Sequence, residues 1–239
     1  MTKKIFALGA VALATAPAFA TDLWNQQVGL QANWNGAADS ILADLPDHSI
    51  YQVSDVIVGS GGWNVTSISM EVFDSSPSAT SITLADLNVF ANTGSNTLPT
   101  LGNDPTTGSS VAVTMTAVAG TPGAYFLTAS GLNLNWSAGE YWVGLTGFGN
   151  YSGTGGEVET GFTTTNSAGA NFGSAVINPG GGWGIGTGWM GTNAITGDAP
   201  ANDYSAIDIQ GTSAAPEPAS MALLGLGIVG LINRRRNRK

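Results

Sequence analysis

In "WNVTSISMEVF" (Trp63 to Phe73), the apolar residues Ile68, Met70 and Val72 alternate with Ser67, Ser69 and Glu71. A period of two is that of a β-strand with one face buried, because successive side chains point to opposite sides of the pleat. Six more runs read the same way. They are "IYQVSDVIV" (Ile50 to Val58), "LADLNVFA" (Leu84 to Ala91), "VAVTMTAV" (Val111 to Val118), "AYFLTAS" (Ala124 to Ser130), "EYWVGLTGF" (Glu140 to Phe148) and "YSAIDIQG" (Tyr204 to Gly211). Clusters of Gly, Pro, Ser and Asn separate the runs as turns do, and "SSPSATSIT" (Ser75 to Thr83) reads as a hairpin loop. Between the chain ends the best helix candidate is short, "AADSILADL" within Gly36 to Leu45. Seven strands at this spacing predict an all-β domain, an antiparallel β-sandwich of jelly-roll type.

Charge divides the chain into three parts. Lys3 and Lys4 open it, and Arg234, Arg235, Arg236, Arg238 and Lys239 close it. From Thr21 to Ala215 there is no Lys or Arg, while 15 of the 16 acidic residues lie there, a formal charge of −15. Internal Lys or Arg salt bridges are therefore ruled out over those residues. So is the usual phosphate contact, which makes nucleic acid an unsuitable partner and argues against phosphorylated substrates and anionic lipid surfaces. The 239 residues contain no cysteine, so an exported domain would be stabilised by its apolar core alone.

The N-terminal "MTKKIFALGAVALATAPAFA" joins two lysines, an apolar run and the small residues Ala18 and Ala20 around Phe19. That is the pattern of a secretory signal peptide, with a helical apolar segment and cleavage after Ala20 by signal peptidase. At the other end, Ala219 to Ile232 is a 14-residue uncharged segment, roughly 21 Å long as a helix. A bilayer core is about 30 Å thick, so this single transmembrane helix is short and relies on Asn233 and the arginine stems reaching the interface. By the positive-inside rule the basic cluster stays cytoplasmic and acts as a stop-transfer signal, leaving the acidic region outside. The expected division is a signal peptide at 1–20, an exported β-domain at 21–215 and a C-terminal signal at 216–239.

Pro216-Glu217-Pro218, the following "ASMALLGLGIVGL" and the terminal "RRRNRK" resemble the PEP-CTERM sorting signal. The resemblance implies an exosortase-type membrane enzyme as partner, cutting near the motif, and delivery to the surface of a Gram-negative bacterium that makes exopolysaccharide. The middle region is similar to other cargo of this signal in its "YWVGL" strand after an "SAGE" turn and in its final strand before the signal. That likeness implies a sandwich and transfers no functional residue.

Several residues could carry chemistry. His48 follows Asp44 and Asp47 in "ADLPDHSI", but a single histidine supplies too few ligands for a typical zinc site. No G-x-S-x-G elbow accompanies it, so it reads as a solvated loop residue. Glu157 and Glu159 in "GGEVETGF" would share one strand face about 7 Å apart, a spacing glycosidase carboxylates use, without a cation to hold one of them ionised. Calcium takes oxygen ligands and suits unpaired carboxylates, yet neither a D-x-D-x-D-G loop nor a glycine-aspartate nonapeptide repeat is present. A structural calcium ion stays open with no ligand named, and no other cofactor is expected. The glycine-rich "NPGGGWGIGTGWMGTN" (Asn178 to Asn193) carries Trp183 and Trp189. Exposed indoles beside amides suit the apolar C–H face and hydroxyl rim of a sugar; the alternative is that both rings fold back as a cap.

These observations describe an exported, surface-directed, non-enzymatic protein, a structural component of the extracellular polysaccharide or biofilm matrix. The alternative is a cell-surface carbohydrate-binding module that holds exopolysaccharide, and a glycan hydrolase stands third. Until processing, the C-terminal helix would keep the chain at the inner membrane.

Overall fold

The structure is a computed structural model that describes residues 20–27, 40–74, 82–92, 97–100, 102–151, 158–160, 162–163, 173–196 and 204–213. Its strands are β1 (Thr21–Asn25), β2 (Ser40–Leu42), β3 (Tyr51–Val58), β4 (Trp63–Asp74), β5 (Leu84–Asn92), β6 (Ser109–Ala117), β7 (Ala124–Trp136), β8 (Gly139–Gly149), β9 (Val158–Thr160), β10 (Phe162–Thr163), β11 (Ser174–Ile177), β12 (Met190–Gly191), β13 (Tyr204–Ser205) and β14 (Ile207–Ser213). One four-residue helix, α1 (Asn193–Thr196), and three short 3-10 turns complete the described elements. All seven alternating runs become strands, the last broken at Ala206 into β13 and β14.

Twelve of the strands pair into one sheet in the order β1-β14-β4-β7-β6-β5-β8-β3-β11-β12, with β2 added to β8 and β9 to β4, and β10 and β13 pair separately as a two-stranded sheet. Every pairing is antiparallel except β2 with β8. The all-β antiparallel class expected from the sequence is thus found, as a curled sheet or half-barrel, while the jelly-roll sandwich is not confirmed. The curl is made at β6, whose first residues pair with β5 (Ser109↔Leu87 to Ala112↔Leu84) and whose later ones pair with β7 (Val113↔Ala129 to Ala117↔Tyr125). Both halves bury side chains in a common core: Val65, Ile68, Met70 and Val72 of β4 and Leu127 of β7 meet Val56, Leu87, Val143 and Leu145. The backbone N–H of Leu145 donates to Met70 Sδ across it at 3.1 Å.

Val65 and Ile68 both enter this core although they stand three residues apart. A bulge reconciles them. Gln210 of β14 faces Ser67 and the next residue, Gly211, faces Val65, so Thr66 is the extra residue. On the other side β7 takes up the irregularity between Ser130 and Leu134, where Gly131 has φ 71. An extra residue inverts the alternation, which returns Val65 to the inner face.

The second face of β4 is less open than its serines suggest. Ser69 and Glu71 are both buried, with Gln27 Nε2 donating to the Ser69 carbonyl at 3.3 Å and Thr128 Oγ1 donating to Ser69 Oγ at 3.0 Å. Burial pushes the Glu71 carboxyl from an ordinary 4.5 up to about 7. Asp86 is raised by burial too, and so is Asp208, where the charge of Asp22 adds to the effect and a hydrogen bond from Gln210 opposes it.

The helix expected at Gly36 to Leu45 is corrected where it is described: Ser40–Leu42 is strand β2, parallel to β8 from Ser40↔Gly147 to Leu42↔Gly149. Pairing to the end of β8 and burial of Leu42 override a weak local helix preference. Residues 36–39 and most of the Ser75 to Thr83 loop lie outside the described residues.

Deleting Thr66 should remove the bulge and turn Trp63 and Val65 outward. Urea denaturation should show a loss larger than that of Ile68→Ala, itself about 2–5 kcal/mol, whereas Thr66→Ala should cost about 1 kcal/mol or less. The raised carboxyl of Glu71 predicts a pH response. The folded chain holds this proton more tightly than the unfolded one, so the stability it contributes is complete below about pH 4.5 and lost as pH rises through about 7. Thermal melting should therefore occur at higher temperature at pH 5 than at pH 7.5, and Glu71→Gln should raise the value at pH 7.5 and narrow the difference.

Candidate functional site

The glycine-rich segment after β11 is shaped by one buried side chain. Asn178 Oδ1 accepts from the N–H groups of Gly180 and Gly181, both at 3.0 Å, and its Nδ2 donates to the Gly182 carbonyl at 2.8 Å. The turn so formed presents Trp183 with φ 55, the only non-glycine residue at positive φ among the described residues. A left-handed backbone is costly for a bulky side chain and persists where its surroundings impose it. Here the surroundings are the loop of Pro46 to His48. Gly182 lies so close to the His48 ring that a Cβ would fall 2.6 Å from it.

Trp183 is 46% exposed. The His48 ring meets it edge-on with centroids 4.7 Å apart, and Tyr151 does so at 5.3 Å. Tyr151, itself 47% exposed, is fixed by its backbone N–H, which donates to Asp44 Oδ1 at 2.9 Å. Three rings from distant parts of the chain thus form one cluster, with Trp183 and Tyr151 open to solvent. His48 corrects the sequence expectation of a solvated loop residue: it is half-buried, and its Nδ1 is enclosed without a hydrogen-bond partner.

Trp189 behaves differently. It is 8% exposed, its Nε1 donates to the Asn103 carbonyl at 2.9 Å, and its ring meets Phe90 edge-on at 6.0 Å. With Tyr51, Val53, Trp142, Ala175 and Ile177 it forms a second core on the outer side of β3 and β8. Of the two tryptophans, one caps the fold and the other offers a surface. The separate roles of Trp183 and Trp189 were invisible in a segment where glycine spacing carries no periodicity, and Tyr151 and His48 gave no sign that they would join it.

Among the described residues no group of three His, Cys, Asp or Glu side chains is placed to hold a metal ion. Glu157 lies outside those residues, and Glu159 is described only through its backbone pairing with Phe73. Ala18, the Pro216-Glu217-Pro218 motif, the apolar segment and the Arg234 to Lys239 cluster also lie outside them, while Ala20 directly precedes β1. No described helix is long and apolar enough to cross a membrane.

No curated protein and no solved structure matches the chain significantly. A family model does match, the PEP-CTERM protein-sorting motif, over residues 214–238. The matched residues take in Pro216-Glu217-Pro218, the apolar segment and all but the last residue of the basic cluster. This motif implies export and surface delivery through exosortase-type processing. By its C-terminal sorting motif, the chain is a PEP-CTERM protein.

Proposed function

We propose that this protein is delivered to the cell surface by an exosortase-type enzyme and there, without catalysing a reaction, holds a neutral glycan of the extracellular matrix on the face of Trp183. The observation that carries the reading is the exposed indole held in a left-handed backbone between His48 and Tyr151. An aromatic face kept open at a conformational cost is useful where a ligand covers it. The lack of Lys and Arg from Thr21 to Ala215 favours an uncharged polysaccharide, since a strongly anionic one would be repelled. The buried Trp189 takes no part in the contact and acts as a cap.

Two measurements test the proposal. Titrating the host's exopolysaccharide against tryptophan fluorescence should give binding that Trp183→Ala weakens at least about tenfold, the equivalent of 1.4 kcal/mol. Tyr151→Ala should weaken it less, and Trp189→Phe should leave it unchanged while lowering the melting temperature. Equal binding by wild type and Trp183→Ala would overturn the glycan reading. Intact mass of the surface form in a host with the sorting enzyme should end near Ala215 to Pro218; a surface form retaining Arg234 to Lys239 would overturn the processing.

A further inference from the structure

The last strand runs almost into the sorting motif. β14 closes on Ser213, which pairs with Trp63, and Thr212 pairs with Asn64. On its other flank β14 pairs with β1, Gly211 facing Thr21. It is thus an inner strand, held by β4 up to the residue before the matched motif, which begins at residue 214. Even fully extended, the chain from Ser213 to Pro218 spans at most about 18 Å. An enzyme that cuts at Pro216-Glu217-Pro218 and grips residues on both sides of the bond therefore meets the folded end of the sheet while it works.

That end is braced. Trp63 and Asn64 of β4 pair with Trp136 and Asn135 of β7. The turn from Gly59 to Gly62 closes by the Gly62 N–H donating to the Gly59 carbonyl at 2.9 Å, and it presses on β7 so closely that a Cβ on Gly62 would fall 2.5 Å from the Trp136 carbonyl oxygen. The turn between β7 and β8 is tied by Tyr141, whose hydroxyl donates to the Ser137 carbonyl at 3.0 Å while its ring stacks on Trp136 at 5.5 Å. Beneath the turns Trp63 and Trp136 are buried, with ring centroids 6.3 Å apart.

The surface it offers is polar and uncharged. Thr21, Ser213, Asn133, Asn135, Ser137 and Ala138 are exposed, and Asn64 Nδ2 donates to Asn133 Oδ1 at 3.5 Å. Asp22 flanks this surface on the β1 side and Glu140 on the β8 side. Carboxamides both donate and accept, so they fit a neutral protein surface, whereas the acidity of the domain as a whole sets it against an anionic bilayer.

We propose that the sheet end around Ser213 is a docking surface for the membrane enzyme that removes the sorting signal, with Asn133 and Asn135 lying against an uncharged, hydrogen-bonding part of that enzyme. The inference rests on the tail removal proposed above. Only Ala214 and Ala215 separate the last strand from the motif, so motif and sheet end are presented together.

The test follows tail removal from the full chain by intact mass over time, in a host with the sorting enzyme. Asn135→Asp and Asn135→Lys should both slow it at least about tenfold at unchanged melting temperature, because either charge would have to be stripped of water against a neutral partner. Ala119→Asp, exposed in the turn between β6 and β7 at the opposite end of the sheet, should be cut at the wild-type rate. Inserting about ten Gly and Ser residues between Ser213 and Ala214, a flexible linker of roughly 16–19 Å, should abolish the difference between wild type and the Asn135 variants. If an Asn135 variant does not fold, Asn133→Asp and Asn133→Lys are read in its place. The proposal is overturned if folded variants are cut as fast as wild type, or if the slowing persists with the insertion. It is equally overturned if Asp slows the cut while Lys speeds it, the signature of an anionic bilayer at this surface. A wild-type tail that is never removed would overturn the processing itself, and this inference with it.

Discussion

The handover of β6 from β5 to β7 is what the rest of the molecule depends on. With Ser109 to Ala112 paired to one strand and Val113 to Ala117 to another, a single hydrogen-bonded sheet bends until its two halves share a core. A flat sheet of twelve strands could not bury Met70 of β4 against Leu145 of β8. Because the bend is made by one strand changing partners, the strands on either side of it must part company. A cleft lies where they part, lined among others by Leu87, Val111 and Leu134.

Electrostatics set the second constraint. A domain with fifteen carboxylates and no lysine or arginine cannot stabilise a buried acid by pairing with either, so burial raises Glu71, Asp86 and Asp208 above the ordinary carboxyl range. Apolar burial and backbone pairing must outweigh this cost, and the dense packing of valine, isoleucine, leucine and tryptophan is what does so. The same composition disfavours anionic partners at the surface.

Strand content was legible because alternation is a local signal, and all seven runs carry it. The architecture was less so. Nothing in "SSVAVTMTA" announces that its first four residues pair one way and its last five another, since changing partners leaves the inward and outward alternation intact. The bulge at Thr66 was half visible, as a break in phase between Val65 and Ile68. β2 was misread because three residues, Ser40 to Leu42, are too few for a period to distinguish strand from helix. At the candidate sites, sequence pointed to Trp183 and Trp189 but could not separate them. Their difference rests on Asn103 and Phe90, far away in the chain.

Among the described residues the curled sheet, unlike a closed barrel, has two ends. One is β1, broken by a register shift between Asp22 and Trp24, and the other is β12, only Met190–Gly191 long. Unpaired edges are templates on which further chains can add, and irregular or very short edges frustrate that addition. For a protein delivered to a surface, such edges disfavour strand-to-strand addition between copies. What joins them would have to come from outside the backbone.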